Sequence, residues 1–518
     1  MQVYPATLAE LVSNIAQRNG EKPALIFADK PISYADLDSR VERATNGLAA
    51  LGVAKGDRVA LHLPNIPEFV VAYYAILRCG AIVVPINVLY KAEEITYILQ
   101  DSEAKVSILF AGFVPQGIAG AEKAPSVSKL IVVGELAPTG TTSWEALTDG
   151  SAPERSPVKV TPGDIATICY TSGTTGRCKG AMLTHRNLIA NCEQLDRTER
   201  GCVKESDVLL LVLPLFHIYA MNCAMNLYLR AGATIVMVRR FDALQVLEQI
   251  QKHRCNMFHG APPMYVTWVN TPTLGDYDLS SMRYAFSGAA PLPIQVLDRF
   301  HAVTGIEIVE GYGLTETSPV THSNCAIAVS KPGTVGPPIP GVEARLVDDE
   351  DRDVAPGEPG EIICRGENIT IGYWRNPTAT AEAMRNGWFH TGDIATMDED
   401  GYYRIVDRKK DMIDSGGFKV WPREVEEVLF KHPAVREAAV VAMPDAHWGE
   451  RPIAFIALKE GQAATQEELI AYCKQHLASY KAPCLVKFRD ELPKSATGKV
   501  LRRVLREQAR KIEPCNLG

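Results

Sequence analysis

The sequence has no pair of cysteines spaced as Cys-x-x-Cys, although it contains 12 cysteines. A structural zinc site and a disulfide framework both need cysteines at close or recurrent spacings, so neither is expected here. Scattered free thiols are typical of a protein in a reducing compartment. The cysteine pattern therefore predicts a cytoplasmic protein.

Long apolar runs and a secretory leader are also missing. The apolar run from Val208 to Leu213 ends at Pro214, far short of the roughly 20 residues that a membrane-spanning helix requires. Residues 1–5 carry neither a basic segment nor an apolar core. We therefore expect no integral membrane segment.

An excess of basic residues is lacking as well. The chain has 54 lysines and arginines against 61 acidic residues, a net charge of −7, which argues against a nucleic-acid partner. The 518 residues exceed a single ordinary core, so at least two domains are expected. No internal repeat, low-complexity tract or heptad pattern is present.

Strand-like and helix-like segments alternate along most of the sequence. Between residues 58 and 259, short apolar runs alternate with segments of helical period, which indicates βαβ units and parallel sheets. Residues 342–364 alternate apolar and charged side chains, as a half-exposed strand does, and predict a small β subdomain. Helices and paired strands (residues 438–443 and 453–458) predict a compact α+β domain in about the last hundred residues.

Three local signals refine this outline. Thr7-Leu8-Ala9-Glu10 and Ser33-Tyr34-Ala35-Asp36 each place a hydroxyl residue before an acidic one, a pattern that predicts a capped helix start. Residues 137–163 are rich in Gly, Pro and Ser and predict a joint between subdomains.

The most informative stretch follows an apolar run at residues 165–170. It reads Thr171-Ser172-Gly173-Thr174-Thr175-Gly176-Arg177-Cys178-Lys179-Gly180. Glycines let backbone N–H groups approach phosphate oxygens, hydroxyls add donors and Lys179 adds a positive charge. The P-loop pattern fails, because Cys178 occupies the second glycine position and Gly180 the hydroxyl position. By itself the stretch is also compatible with an ordinary surface loop.

Four further motifs occur downstream in a fixed order. They are Gly311-Tyr312-Gly313-Leu314-Thr315-Glu316-Thr317, Trp388-Phe389-His390-Thr391-Gly392-Asp393, Asp407-Arg408-Lys409-Lys410-Asp411 with Ser415-Gly416-Gly417-Phe418-Lys419, and Pro493-Lys494-Ser495-Ala496-Thr497-Gly498-Lys499. In this order and spacing the motifs closely resemble the acyl-adenylate-forming (AMP-binding) superfamily, in its acyl-CoA synthetase or acid–CoA ligase branch. The resemblance extends over essentially the whole chain.

The resemblance implies a fold of the α/β class. It comprises a large N-terminal domain of two doubly wound α/β subdomains plus a small β subdomain, followed by a small mobile α+β domain. The implied limits are residues 1–407 for the AMP-binding domain, 408–411 for a hinge and 412–518 for the C-terminal lid.

The resemblance also implies the reaction. A carboxylate attacks the α-phosphate of ATP and gives acyl-AMP with pyrophosphate, and coenzyme A then attacks the acyl carbonyl and releases AMP. ATP, Mg²⁺ and coenzyme A are the expected cofactors. A homodimer is kept as one option for the assembly.

Nucleotide-binding roles follow from the matched positions. The β- and γ-phosphates would be held by Thr171, Ser172, Gly173, Thr174, Thr175, Gly176 and Lys179. The base, the α-phosphate and the ribose would be bound by Gly288, Ala289, Ala290, Gly311, Tyr312, Gly313, Thr315, Asp393 and Arg408. The family usually has Pro where Cys178 stands, a departure that affects loop stiffness and leaves the phosphate donors intact.

Catalytic and lid roles are implied in the same way. Lys499 would stabilise the transition state of adenylation, with Thr175 and Glu316 as further catalytic residues, and Glu316 would bind Mg²⁺. Lys410 matches the hinge of the family. The segment Ser415, Gly416 and Gly417 would bind coenzyme A after the lid has moved.

The acyl substrate is the least determined part. His217, Tyr219 and Met221 are the candidate acyl-site residues, although a lone His or Met in an apolar run is more often structural. Apart from Arg230 and Arg239, no basic residue is placed to pair a second carboxylate. This favours a medium- or long-chain fatty acid first and a cinnamate- or benzoate-type acid second. Loading of a carrier protein, luciferase-like oxidation and a non-catalytic nucleotide-binding module are the alternatives.

Overall fold

The computed structural model describes residues 5–135, 137–171, 178–445, 447–495 and 498–512. The predicted phosphate-binding residues Ser172, Gly173, Thr174, Thr175 and Gly176 lie outside these ranges. Their roles therefore stay predictions.

The strands of the described residues fall into four sheets. In chain order they are β1 (Pro23–Phe27), β2 (Lys30–Ser33), β3 (Arg58–His62), β4 (Ile82–Pro85), β5 (Val106–Phe110), β6 (Lys129–Val133), β7 (Thr142–Ser143), β8 (Ile165–Thr171), β9 (Lys179–Thr184), β10 (Val208–Leu211), β11 (Thr234–Met237), β12 (Met257–Gly260), β13 (Tyr284–Ser287), β14 (Ile308–Gly313), β15 (Val320–Ser323), β16 (Val342–Val347), β17 (Gly360–Gly366), β18 (Met384–Arg385), β19 (Trp388–Met397), β20 (Tyr403–Arg408), β21 (Ile413–Ser415), β22 (Phe418–Val420), β23 (Val435–Asp445), β24 (Gly449–Leu458) and β25 (Leu485–Phe488).

The α-helices of the described residues connect and cover these sheets. They are α1 (Leu11–Asn19), α2 (Tyr34–Ala50), α3 (Pro67–Arg78), α4 (Ala92–Ser102), α5 (Val114–Ala121), α6 (Trp144–Thr148), α7 (His185–Asp196), α8 (Leu227–Ala231), α9 (Ala243–His253), α10 (Pro262–Val269), α11 (Ile294–Thr304), α12 (Pro377–Ala383), α13 (Pro422–Phe430), α14 (Gln466–His476) and α15 (Arg502–Ala509). A π-helical segment, Tyr219–Asn226, runs directly into α8, so that residues 219–231 form one helix.

Two mainly parallel sheets form the large part of the molecule. In one sheet the order is β7-β6-β5-β3-β4-β8-β9, and in the other it is β15-β14-β13-β12-β10-β11-β1-β2. The inner strands of both sheets pair in parallel, as their near-continuous apolar sequences and the intervening helices require. Helix α3 is buried along its whole length, because one hydrophobic core joins residues of both sheets.

Two smaller sheets follow. The first has the order β16-β17-β19-β18, with β20 paired to β19, and all its pairings are antiparallel. The second, in the C-terminal part, is built on the long antiparallel pair β23 and β24, with α13 and α14 packed against it. The predicted fold class is confirmed, and so is the predicted strand pairing of residues 438–443 with residues 453–458.

Two local predictions are wrong and one is right. Residues 137–163 do not join subdomains, because β7, which lies within them, and β8, which follows them, belong to the same sheet. Thr7 makes no side-chain cap, and a 3₁₀ turn at Leu8–Glu10 precedes α1. By contrast, the Ser33 hydroxyl accepts a hydrogen bond from the Asp36 amide and caps α2 as predicted.

Candidate active site

A single cleft of about 2100 Å³ is lined by most of the predicted site residues. The carboxyl ends of β13 and β14 contribute one wall, and β19 and β20 contribute a second. The loop that carries Lys499 closes the cleft from the C-terminal part of the chain. Ligand sites at the carboxyl ends of parallel strands are usual in open α/β sheets, so this placement follows from the topology.

A carboxylate held from two sides marks one corner of the cleft. The Tyr312 hydroxyl donates to Asp393 Oδ2 at 2.7 Å, and Arg408 Nε lies 3.2 Å from Asp393 Oδ1. Asp393 and Arg408 are direct cross-strand partners on β19 and β20, which fixes their proximity. Burial raises the pKa of the Tyr312 hydroxyl well above its usual value, so Tyr312 remains a donor.

The backbone next to Tyr312 packs closely against a neighbouring segment of the protein. A Cβ added to Gly313 would lie 1.7 Å from the Pro319 carbonyl oxygen, so only glycine fits there. Gly288, Ala289 and Ala290 follow β13 and line the same cleft, with Ala289 in the left-handed region at φ +70°. This arrangement places Tyr312 and the residue 288–290 segment around one space, as the motif resemblance implies for an adenine base.

Glu316 is buried at the start of the next turn, Thr315–Thr317. Its Oε1 accepts a hydrogen bond from the Tyr373 hydroxyl at 2.8 Å, and Lys179 Nζ lies 5.2 Å from the centre of the Tyr373 ring. Burial raises the pKa of the Glu316 carboxyl, while the bond from Tyr373 opposes that shift. Thr315 also lines the cleft. Sequence reasoning missed Tyr373, which belongs to no motif and is brought here by a β-bridge to Ala181.

The ends of the predicted phosphate loop are fixed in place. Thr171 and Lys179 are cross-strand partners at the end of the β8–β9 hairpin from which the connecting loop leaves. The carbonyl of Cys178 accepts a hydrogen bond from the Tyr97 hydroxyl at 2.8 Å. Thr171, Cys178 and Lys179 all line the cleft, so the segment between them begins and ends at the site.

Lys499 enters the cleft from the C-terminal loop. The Ser495 amide donates to the Lys499 carbonyl at 2.8 Å, and a Cβ on Gly498, whose φ is +79°, would lie 2.5 Å from Pro263 Cγ on α10. The loop therefore packs directly on the large part of the protein. Burial and, to a smaller extent, the Arg408 charge lower the pKa of Lys499 to about 8, while Asp393 opposes the shift.

A cluster of ion pairs holds this loop and α15 against the end of β20. Arg502 donates to Asp407 Oδ1 at 2.8 Å and to both oxygens of Glu426 at 2.8 and 2.7 Å, and Arg506 pairs with Asp411. We call these five residues, Asp407, Asp411, Glu426, Arg502 and Arg506, the clasp. The clasp joins residues on both sides of the predicted hinge.

The acyl side of the cleft begins at His217. Burial, reinforced by the Lys499 charge, lowers the pKa of His217 to about 4, so the imidazole is neutral. The Tyr219 ring packs against Gly288, which links the acyl side to the nucleotide side. Arg230 pairs with Asp196, and Arg239 lies over the rings of Phe27 and Phe110. Neither arginine is among the residues that line the cleft.

Not every predicted residue reaches the cleft. Lys410 lines it, and burial lowers the pKa of its ammonium to about 8. Ser415, Gly416 and Gly417 lie on the hairpin of β21 and β22, where Gly416 packs against Trp448, and they are not among the lining residues. Met221 is fully buried in the core and does not line the cleft either.

Comparison with known proteins gives an independent result. Residues 12–374 match the family model of the AMP-binding enzymes, and residues 424–499 match the model of the AMP-binding enzyme C-terminal domain. A long-chain-fatty-acid–CoA ligase of Bacillus subtilis (strain 168) is 38% identical, over 97% of this chain and 94% of that protein. A feruloyl-CoA synthase of an Amycolatopsis species is also 38% identical, over 92% of this chain and 94% of that protein.

Solved structures agree with the sequence comparison. The crystal structure of the anthranilate CoA ligase AuaEII with anthranoyl-AMP superposes with a TM-score of 0.91 at 30% identity, covering 98% of both chains. A benzoate CoA ligase from Burkholderia xenovorans LB400 gives 0.88 at 30% identity, covering 96% of this chain and 99% of that one. The resemblance and the predicted enzyme class, an AMP-forming acid–thiol ligase, are thereby confirmed, and the chain belongs to the AMP-binding enzyme family.

Proposed function

We propose that this protein is an ATP-dependent acid–CoA ligase that acts on a fatty acid or an aryl acid. The carboxylate attacks the α-phosphorus of ATP and pyrophosphate leaves. The thiolate of coenzyme A then attacks the carbonyl of the acyl-AMP, and AMP leaves. The observation that carries the proposal is the position of Lys499 on the lining of the cleft, where its charge interacts with Arg408 and Asp393.

The first step brings two anions together, so it needs fixed positive charge. Lys499 supplies an ammonium group on the lining of the cleft, where a positioned positive charge stabilises the charge that develops in the transition state. Asp393 accepts hydrogen bonds from the ribose hydroxyls, and Tyr312 and Arg408 hold its carboxylate in place. Lys179 offsets the charge of the β- and γ-phosphates together with Thr171 and the segment 172–177.

The site fits Mg²⁺ as a partner of the nucleotide. Glu316 offers a buried carboxylate whose second oxygen is not used by Tyr373. Within the described residues no group of three acidic, His or Cys side chains is arranged to hold a metal ion, so an ion would take its other ligands from phosphate oxygens and water. Mg²⁺ is commonly bound in this way, and it would neutralise phosphate charge.

The second step follows a movement of the C-terminal domain. In this proposal residues 412–518 rotate about Lys410, which withdraws Lys499 and brings Ser415, Gly416 and Gly417 to the cleft. The absence of side chains at Gly416 and Gly417 leaves room for a pantetheine arm. The present position of these three residues, away from the cleft, supports a rearrangement between the two steps.

The proposed acyl acceptor and the proposed acid are inferred from the names of the relatives. Relatives named as CoA ligases favour coenzyme A over a carrier protein or an oxidative route. Their names cover both fatty and aryl acids, the two classes that the uncharged acyl side of the cleft can accept.

No helix of the described residues is long and apolar enough to cross a bilayer. A cytoplasmic location and a homodimer complete the proposal.

Release of pyrophosphate and of AMP, measured with a panel of acids with and without coenzyme A, tests the proposal. We expect AMP formation that depends on both the acid and coenzyme A. Acyl-AMP that accumulates despite coenzyme A would favour a carrier-protein acceptor. Uptake of O₂ with the adenylate would favour the oxidative alternative.

A further inference from the structure

Tyr373 contacts two charged groups of the cleft that come from different motifs. Its hydroxyl donates to Glu316 Oε1 at 2.8 Å, and Lys179 Nζ lies 5.2 Å from the centre of its ring. All three residues line the cleft. A tyrosine can bind a carboxylate through its hydroxyl and attract an ammonium to its ring, so one side chain can interact with both groups.

The backbone on either side of this tyrosine is fixed to two elements of the site. Residues 370–374, which we call the bridging segment, pair with β9, where the Met182 amide donates to the Gly372 carbonyl at 2.9 Å. At the start of the segment, the Thr370 amide donates to the Glu316 carbonyl at 2.7 Å. The bridging segment therefore joins β9 to the turn that carries Glu316.

Glu316 and Lys179 carry opposite charges on the lining of one cleft. A carboxylate and an ammonium that are free to meet form an ion pair, and each is then less available to a ligand. In the described part of the chain no ion pair joins Glu316 to Lys179, and both contact Tyr373 instead. The hydrogen bond to Oε1 also restricts rotation of the carboxylate about its last bond.

We propose that Tyr373 is a positioning residue for the polyphosphate of ATP. Its hydroxyl fixes the Glu316 carboxylate, and its ring keeps that carboxylate apart from the Lys179 ammonium. This inference rests on the proposed function, in which Glu316 would bind Mg²⁺ and Lys179 would offset the charge of the β- and γ-phosphates. Replacing a side chain that hydrogen-bonds a metal-binding carboxylate commonly lowers metal affinity by about 10- to 100-fold.

Binding of ATP to Tyr373→Phe, measured by calorimetry with Mg²⁺ and with EDTA, tests the role of the hydroxyl. We expect the affinity with Mg²⁺ to fall about 10-fold, because the ring remains and only the hydrogen bond to Glu316 is lost. The affinity in EDTA should change much less. Tyr373→Leu removes the ring as well, so Lys179 can pair with Glu316 and the loss with Mg²⁺ should be larger.

Tyr402→Phe is the matched control. The Tyr402 hydroxyl donates to the Val329 carbonyl at 2.6 Å, and Lys331 Nζ lies 4.3 Å from the centre of its ring. Tyr402 is not among the residues that line the cleft. Tyr402→Phe should bind ATP as the unchanged protein does under both conditions, and a loss equal to that of Tyr373→Phe would overturn the proposal.

Combination with Glu316→Gln distinguishes positioning from a purely structural role. If Tyr373 acts through the carboxylate, adding Tyr373→Phe to Glu316→Gln should weaken ATP binding little further. Equal losses in the two backgrounds, or an unchanged affinity of Tyr373→Phe with Mg²⁺, would overturn the positioning role. AMP formation by the unchanged protein is measured in parallel. If no acid supports it while Tyr373→Phe still weakens binding with Mg²⁺, the proposed function fails and the positioning role stands.

Discussion

Arg408 and Tyr312 hold opposite oxygens of one carboxylate: Arg408 Nε lies 3.2 Å from Asp393 Oδ1, and the Tyr312 hydroxyl donates to Oδ2 at 2.7 Å. The two contacts fix the position of the Asp393 carboxylate. A carboxylate fixed in this way can accept hydrogen bonds from two adjacent hydroxyls without reorganising, which suits a ribose.

Asp393→Asn should therefore weaken ATP binding. The amide accepts fewer hydrogen bonds than the carboxylate and leaves the Arg408 charge unpaired, so we expect the KM for ATP to rise about 10-fold or more. Initial rates of pyrophosphate release against ATP concentration measure this. Asp400→Asn is the control, since Asp400 is exposed and pairs only with Lys331. Equal KM values for the two variants would contradict the ribose role.

Lys499→Ala should separate the two half-reactions. Loss of the ammonium should slow acyl-AMP formation by about 100-fold or more, as removal of an oriented electrostatic group commonly does. Attack of coenzyme A on supplied acyl-AMP should remain largely intact. Lys474→Ala, on the exposed side of α14, is the matched control. Equal loss of both steps in Lys499→Ala would count against domain alternation.

The rate of adenylation should fall as the pH rises through about 8, the lowered pKa of Lys499 in the free enzyme. A plot of kcat/KM against pH reports this group, because kcat/KM reflects the free enzyme. Lys499→Arg should be slower and should lose this alkaline limb, since a guanidinium stays charged. Retention of the same limb in Lys499→Arg would assign it to another group, such as Lys410.

The lowered pKa of Lys499 also predicts how the free energy of unfolding changes with pH. Between pH 8 and the ordinary lysine value of 10.5 the unfolded chain binds a proton at Lys499 that the folded protein has lost. The contribution of this lysine to the free energy of unfolding therefore increases with pH across that window. Comparison of urea unfolding of the unchanged protein and Lys499→Met at several pH values measures this contribution. A difference between the two that does not change with pH would contradict the lowered pKa.

Arg502→Ala should both destabilise the protein and slow adenylation. It leaves Asp407 and Glu426 without their shared cation, and loss of one partner from a largely buried ion pair costs about 3 kcal/mol. Adenylation should fall more than the thioester step, because the clasp holds the loop of Lys499 in the cleft. Urea unfolding and the two separate half-reaction assays check these effects.

Arg503→Ala offers a close control for that variant. Arg503 is the next residue of α15, its side chain is 70% exposed, and it pairs only with Glu507. It should change neither the unfolding free energy nor the ratio of the two half-reactions appreciably. Similar effects of both substitutions would mean that α15, rather than the clasp, accounts for the result.

Sequence patterns predicted the fold class, and most of the predicted site residues line the cleft. This success has a local physical basis: glycine and hydroxyl positions in the motifs are dictated by close approach, as Gly313 illustrates beside the Pro319 carbonyl. Ser33 was correctly predicted as a helix cap, whereas the same pattern at Thr7 gave a 3₁₀ turn without a side-chain cap. Because the two sequence patterns are alike, tertiary packing must decide which of the two residues caps a helix with its side chain.

Contacts between distant segments were beyond sequence reasoning. Tyr373 reaches Glu316 only because β9 pairs with the segment that follows β17, and no local pattern encodes that pairing. Met221 was predicted as an acyl-site residue from its place in an apolar run, but its side chain points into the core.

The clasp has a consequence for the order of events. Arg502 follows Lys499 closely in the chain and is bound to Asp407, on the other side of the hinge. In the proposed rotation the lysine cannot leave the cleft while Arg502 keeps its bond to Asp407, so both departures share one energetic barrier. Breaking the contact between Arg502 and Asp407, and not the binding of coenzyme A alone, would then control the change from the first half-reaction to the second.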